Sequence, residues 1–437
     1  MEAEAISGLQ SQVELLGSIS MEIYYWWCTA IMVLIHAGFL AYEMGASRVK
    51  NSLAAGVKNI LALAYVIAAF YFFGWWIYGA FPGGFTIAEG ASIGAPWSES
   101  MGPNIDDKGT GIFWAAFTLF GATTASILSG ALIERVRLSA YVILAVILGA
   151  GVWILAGAWG WHPDGWMLHQ LGYHDIGAAG VVHTVAGFFA LGVLINLGPR
   201  VGKFGPNGEI NAIPPHNLPM SLIGLMLIIV GFFGFLGGCI IFNVGGDWTT
   251  IYGNPTNLSA FGFTTLMGFS GGVIGAYAIS REPFWMMSGA LGGIISVAAG
   301  LDVYHPGVAF IVAFLGGCLI PIAGRMLEKA GIDDAVGAVS VHGIAGVWSL
   351  IASGIFLHGY PNVGDLPDVT FVGQITGAVV MILVGFIPGY GISLLLKSAG
   401  LLRVPPEVEQ IGIDAVEIPT TAYPESRNVP SAGARES

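Results

Sequence analysis

Read for apolar and polar positions alone, the chain is a series of long apolar runs separated by short polar breaks. A membrane-crossing helix needs about 20 mostly apolar residues. Eleven runs approach that length: 23–45, 57–80, 110–133, 138–161, 176–197, 217–243, 259–279, 284–301, 306–324, 338–357 and 372–396. None alternates apolar and polar at every second position, as a barrel strand would, so the runs are expected to be helices. The pattern predicts an all-α polytopic membrane protein. It has an N-terminal segment at 1–22, a membrane domain over 23–400 and a tail at 401–437.

Composition sharpens this reading. Of 437 residues, 55% are hydrophobic and only 10% are Asp, Glu, Lys or Arg, against about 25% charged in a soluble domain. The mean hydropathy of +0.76 and the 66 glycines agree, since glycine is frequent in membrane helices. The net charge of −12 offers nucleic acid no electrostatic footing. Cys28, Cys239 and Cys318 all lie in apolar runs and read as small buried hydrophobes, not as a disulfide framework or metal set. The first twenty residues lack both a basic region and an apolar core, so they are not a signal peptide.

The basic residues set an orientation. Arg48, Lys50 and Lys58 follow the first run, Arg135 and Arg137 the third, and Arg200 and Lys203 the fifth. Arg281 follows the seventh, and Arg325 and Lys329 the ninth. Lys397, Arg403, Arg427 and Arg435 follow the eleventh. All fall on one side, and only Lys108, beside Asp106 and Asp107, falls on the other. The amino terminus is expected outside and the carboxyl terminus in the cytoplasm. The polar, proline-containing stretch 404–437 is expected to be loosely structured.

One segment recurs. Asp175 to Gly187 reads DIGAAGVVHTVAG, and Asp334 to Gly346 reads DAVGAVSVHGIAG, at an offset of 159 residues. The tetrapeptide SGAL at Ser129–Leu132 returns at Ser288–Leu291 with the same offset. Runs one to five therefore pair with runs six to ten. Five is odd, so the second copy crosses in the opposite sense, an inverted repeat with its functional site expected near the midplane. Repeat one spans about 23–197 and repeat two about 217–357; the run at 372–396 has no counterpart and is expected to pack outside.

The repeat makes His183 and His342 equivalent and brings them together at mid-membrane. Asp175 and Asp334 then stand at the starts of their helices, where a carboxylate suits the dipole and caps free N–H groups. A lone buried histidine would read as a structural hydrogen bond. A symmetric pair reads as a pathway, because ionisable groups at that depth are costly and mark permeation routes. A metal site wants three or four ligands, and no HExxH motif is present. A haem would need a pocket that the flanking Ala and Gly do not offer. A retinal protein would need a mid-span lysine. No ring of carboxylates points to a multivalent-cation channel, and no broken helix to a sodium site. An enzyme, a cofactor and a metal are accordingly not expected. Two facing imidazoles can share one N–H···N bond and still offer a donor or acceptor to a small passing species. Burial disfavours imidazolium, so the implied substrate is small and is uncharged or loses its charge on entering.

At this point the chain resembles the ammonium transporter family of ammonium transporters, methylammonium permeases and Rhesus proteins. The resemblance covers about residues 20–420. It rests on AGFLAYEMGASRVKN at 37–51, SGALIERVRLSA at 129–140, DIGAAGVVH at 175–183, PPHNLPMSLIG at 214–224, GFFGFLGG at 231–238, VHGIAGVWSLIASGIF at 341–356 and LRVPPEVEQIGID at 402–414. It implies a homotrimer of eleven-helix subunits in the cell membrane, each with its own pore for ammonium or ammonia. His183 and His342 match the twin pore histidines. Phe120 and Phe235 match two phenylalanines stacked above them as a gate, and Asp175 matches a carboxylate near the outer mouth. Trp161 matches an outer-vestibule tryptophan, although WGWHPDGW carries one extra residue and Trp159 is close by. The resemblance also implies a cytoplasmic regulatory protein as a partner.

Several positions depart from the family pattern. Cys239 stands where a hydroxyl residue commonly faces the recruitment site, Leu236 replaces an asparagine, Ala298 a threonine and Gly337 an aspartate. The tail reads GIDAVEIPTTAYPE. These changes remove polar groups around the recruitment site, the tenth-span entrance and the cytoplasmic tail, and do not touch the histidines. They raise a second expectation, an ammonium sensor of the same fold with little or no transport. Sensors of this kind carry a signalling module beyond the membrane domain, and 404–437 has no room for one, so a transporter is the first expectation.

Overall fold

A computed structural model of the chain describes residues 2–88, 108–243, 246–418, 420 and 422–424. Asp106, Asp107, Arg427 and Arg435 lie outside the described residues. The architecture is almost wholly helical. We number the apolar helices α1 (Glu2–Ala46), α2 (Val49–Ala80), α3 (Lys108–Ala131), α4 (Leu138–Gly160), α5 (Ala179–Leu197) and α6 (Leu218–Gly237). They continue as α7 (Leu258–Ile279), α8 (Pro283–Ala298), α9 (Pro306–Lys329), α10 (Val339–Phe356) and α11 (Phe371–Ser398). Among the described residues, ten are long and apolar enough to cross a membrane, and the chain is a multi-pass membrane protein. The remaining one, α8, has 16 residues, about 24 Å at 1.5 Å per residue.

Each helix falls on one predicted run, and the differences lie at the ends. α1 continues without a break through 2–22, so the predicted N-terminal segment is helix. α6 stops at Gly237, short of the predicted 243. There Gly237 and Gly238 lead into a small antiparallel sheet of β1 (Ile240–Phe242), β2 (Trp248–Thr250) and β3 (Pro255–Thr256). Lys58 is not in a loop. It stands inside α2, buried, with Nζ donating to the Ser129 carbonyl at 2.7 Å and lying 5.2 Å from the centre of the Tyr141 ring.

The predicted pairing of repeats appears in the packing. α1 and α6 run antiparallel in close contact, with Gly38 against the Gly224 backbone and Gly231 against Ile35. α5 and α10 cross at equivalent positions. A side chain at Gly187 would strike Gly343, and one at Gly346 would strike the backbone of Ala179 and Thr184. Small residues are what let two membrane helices approach this closely. α11 lies along α5, with Gly385 against Val185 and Gly389 against Phe189, while much of its opposite surface stays exposed.

The face that carries the basic loops is tied by ion pairs. Arg200 holds Asp333 through two bonds of 2.8 Å, and Arg48 holds Glu134 at 2.6 Å. Burial would raise the Asp333 carboxyl, but the Arg200 hydrogen bonds and the charges of Arg135 and Arg200 outweigh it and hold it below the usual range. The first part of the tail, to residue 418, is ordered here, where a loose segment was expected; 425–437 lie outside the described residues. α12 (Pro406–Ile411) and α13 (Ile413–Glu417) dock on this face. Asp414 accepts from the N–H groups of Leu53 and Ala54 at the start of α2, and Glu417 from that of Leu138 at the start of α4. Free helix N-termini need such acceptors, which is why acidic residues at 414 and 417 hold a tail that its composition describes as loose.

Gly187→Leu should destabilise the α5–α10 crossing by the 1–3 kcal/mol typical of overpacking, or more. A lower midpoint of thermal unfolding in detergent, relative to Gly391→Leu, whose Cβ would meet open space, checks this.

Asp334 gives a pH test. Burial pushes its carboxyl up from the ordinary 3.8 to about 6, partly opposed by the N–H groups of Val339 and Ala338. A carboxyl raised in the folded state binds its proton more tightly there than in the unfolded chain, so its contribution is present below the unfolded value and is lost as pH rises. Stability of the wild type relative to Asp334→Asn should therefore fall between about pH 4 and pH 6 and then level off. A flat difference across that window contradicts the assignment.

Candidate functional site

The two histidine helices start the same way. Each follows a residue in the left-handed region, Ala178 at φ 68° and Gly337 at φ 74°, again 159 positions apart. For alanine that conformation costs roughly 1–2 kcal/mol. The preceding aspartate offsets it. Asp175 Oδ2 accepts from the N–H groups of Gly180 and Val181 at 2.8 and 3.0 Å and from the Tyr173 hydroxyl at 3.1 Å. Asp334 accepts from Ala338 and Val339 at 2.9 and 2.7 Å. The first six residues of each helix, Ala179–Thr184 and Val339–Ile344, are wound as π-helix and contain the histidine. Such segments are rare and concentrate at functional sites.

The imidazoles meet at the crossing. His183 Nδ1 and His342 Nδ1 lie 3.0 Å apart, with the rings inclined by 25° and their centres 5.2 Å apart. One ring must donate and the other accept, so at most one Nδ1 carries the shared proton. His183 Nε2 has no other partner.

Aromatic rings stack above the pair, toward the face that carries the start of α1. Phe235 lies 6.1 Å from His183, and Phe120 lies 4.1 Å from Phe235, close enough for the rings to touch. Trp161 meets Phe120 edge-on at 5.5 Å, and its indole N–H donates to the Asp175 carbonyl at 2.7 Å. All five side chains are buried. Trp159, the alternative, packs instead against Phe85 and Trp166. Cys239 is buried and turns its thiol back to the Phe235 carbonyl at 3.4 Å. Asp175 is also fully buried and caps its helix within the protein. Burial raises its carboxyl despite the N–H groups it accepts from.

Other residues of the column were not singled out in the sequence. Trp153 stacks on Phe120 at 6.2 Å and 7°, and Phe232 stacks on His183 at 5.9 Å and 26°. Phe232 was legible, since it stands in the same GFFGF motif as Phe235, whereas nothing marks Trp153 among the 13 tryptophans. His36 of α1 is buried, with Nδ1 3.3 Å from the Ser126 hydroxyl. His174, next to Asp175, pairs with Asp302 at 3.0 Å; burial would lower its pKa, but the carboxylate outweighs it and raises it.

Beyond His342, toward the basic face, lie two spaces. A cavity of about 20 Å³ is walled by His342 and side chains of α1, α3, α6 and α8. A wider one of about 280 Å³ opens among Arg200, Lys203, Trp285, Asp333 and Asp334.

Comparison with known proteins fits this geometry. The family model described as Ammonium Transporter Family matches residues 23–423. Ammonium transporter Amt2 of Methanocaldococcus jannaschii is 33% identical over 404 residues, covering 90% of this chain and 89% of its own. A putative ammonium transporter of Synechocystis is also 33% identical, covering 89% of this chain and 86% of its own. Among solved structures, one described as Sensor Amt Protein aligns with a TM-score of 0.78 at 25% identity, over 92% of this chain and 99% of its own. Mep2 of Candida albicans aligns at 0.71 with 20% identity, over 89% and 86%, which speaks to the fold alone. With its family model spanning all but the two ends and relatives at this identity along nearly the whole length, the chain belongs to the ammonium transporter family.

Proposed function

We propose that the protein moves ammonium or ammonia across the cell membrane through one pore per subunit, with His183 and His342 at its centre. The observation that carries this reading is the 3.0 Å contact between two equivalent buried imidazoles beneath a touching pair of phenyl rings. The relatives named as ammonium transporters support the substrate. An ammonium ion at the mouth is held against the faces of Trp161 and Phe120 by cation–π attraction. Stripping its water in an apolar passage is expensive. Giving up a proton removes most of that cost, and neutral ammonia then passes the histidines by hydrogen bonding. The proton travels separately along the imidazole pair. Potassium has no proton to give up and meets the full cost, which supplies selectivity.

In this reading the chain has eleven spans, with its amino terminus outside and its docked tail in the cytoplasm, and three copies assemble as a homotrimer. The basic-loop bias supports the orientation. The membrane domain is 23–400, followed by the cytoplasmic tail from 401, and the cytoplasmic face receives a regulatory protein. A second reading has its own support: the similarity to the structure described as Sensor Amt Protein, together with the touching Phe120 and Phe235 rings, favours a receptor that binds ammonium and conducts little.

Two measurements decide. Proteoliposomes on a solid-supported membrane should give a saturable current on an ammonium jump. Saturable binding with neither current nor the lumenal pH change caused by ammonia uptake would establish the sensor. His183→Ala and His342→Ala each remove one partner of a buried hydrogen bond, a loss of ~1–3 kcal/mol. Discrimination against potassium or coupling to the proton should therefore change by about tenfold or more. Unchanged selectivity and coupling in both variants would leave the pair structural.

A further inference from the structure

The small cavity under His342 has a second polar wall. Its lining includes Glu43 of α1 as well as His342 of α10, together with Phe39, Tyr42, Ser288 and Leu291. At about 20 Å³ it has room for a single molecule the size of water, and ammonia is in the same size class. A water placed there needs two or more polar partners, and the imidazole, the carboxyl and the Ser288 hydroxyl lie around it.

Glu43 is poorly explained as structure alone. Its side chain is fully buried, in the last turn of α1. One oxygen accepts from the Ser129 hydroxyl. The other has no hydrogen-bond partner. Lys58 Nζ stands 3.8 Å away, beyond hydrogen-bonding distance, because it is engaged by the Ser129 carbonyl at 2.7 Å. A charge pair kept only to clamp α1 to α2 closes to about 2.7–2.9 Å. This one stays open at 3.8 Å, on a residue that also lines a water-sized space.

We propose that Glu43 is the inner proton-transfer group of the pathway, taking a proton from His342 through a molecule in this cavity and returning it to ammonia. The proposal rests on the histidine pathway described above. In the first step the His342 imidazolium gives its N–H proton to a water in the cavity, and that water gives one of its own to the Glu43 carboxylate. The imidazole becomes neutral and Glu43 becomes a carboxylic acid. In the second step the lone pair of ammonia takes the acid proton. An O–H bond breaks, an N–H bond forms, and ammonium is left beside a carboxylate. The proton that ammonium lost on the far side is thereby returned, with no net change in the protein.

Lys58 gives the device its release. A lone buried carboxylate would hold ammonium tightly. With the Lys58 cation already beside it, the carboxylate is largely neutralised, and the new ammonium is repelled toward the 280 Å³ opening. The other titratable groups around the site are Tyr42 on α1, Tyr141 on α4, His342 and Asp334 across the cavity, and Glu134 and Arg135 beyond Lys58.

The test uses the full chain in liposomes and ammonium chloride as the probe. Infrared difference spectra on ammonium perfusion should show a change in a protonated-carboxyl C=O band that is lost in Glu43→Gln and shifted in Glu43→Asp. The ammonium-evoked current should fall about tenfold or more in Glu43→Gln and recover in part in Glu43→Asp. If Glu43→Gln does not fold, Glu43→Gln/Lys58→Met, which removes both charges, serves the same comparison. An ammonium-insensitive band, a band that survives loss of Glu43, or a wild-type current in the glutamine variant overturns the proposal. A responding band without any wild-type current refutes transport while leaving proton exchange at Glu43 standing.

Discussion

Two imidazoles in the middle of an apolar helical bundle have few partners except each other. The rest of the structure follows from arranging that they meet. Their helices must approach to backbone contact, which requires glycine at Gly187 and Gly346. The rings must point into the crossing, and the π-wound first turns deliver them there. Those turns need an unusual backbone entrance, Ala178 and Gly337, and the entrance needs an acceptor for the N–H groups it leaves free. Asp175 and Asp334 supply it. Aspartate, left-handed residue, π-turn, histidine and glycine form one device, built twice.

Much of this device was legible in the sequence. The apolar runs set the helices to within a few residues, because a span has to be both long and greasy. The 159-residue offset paired His183 with His342, since Asp, His and Gly returning at one exact spacing mark a duplicated segment. The caps followed from the position of the aspartates. The left-handed conformation of Ala178 did not, because an alanine gives no sign of it. Only its partner Gly337, which looked like the loss of an aspartate, carried a hint.

Other parts were hidden for identifiable reasons. The tail looked loose because composition reports the average tendency of a segment, not the two unsatisfied helix starts that Asp414 and Glu417 find on the membrane domain. Lys58 looked like a loop cation because it stands at the edge of its run. Its partner Glu43 stood in plain sight in AGFLAYEMGA, yet a single carboxylate near the end of a span reads as an interfacial residue until the fold brings α2 and α3 against it. The closed contact between Phe120 and Phe235 depends on rotamers, which no spacing rule reports.

The inverted repeat carries a consequence for directionality. In the pathway proposed above, two antiparallel copies of one motif give the histidine crossing the same backbone frame from either side, so that frame has no built-in sense of forward. Any rectification must come from what was not duplicated. Among the described residues that set includes the Phe120–Phe235 rings, the three-stranded sheet after α6, the outer helix α11, the start of the tail on the basic face, and the Glu43–Lys58 pair.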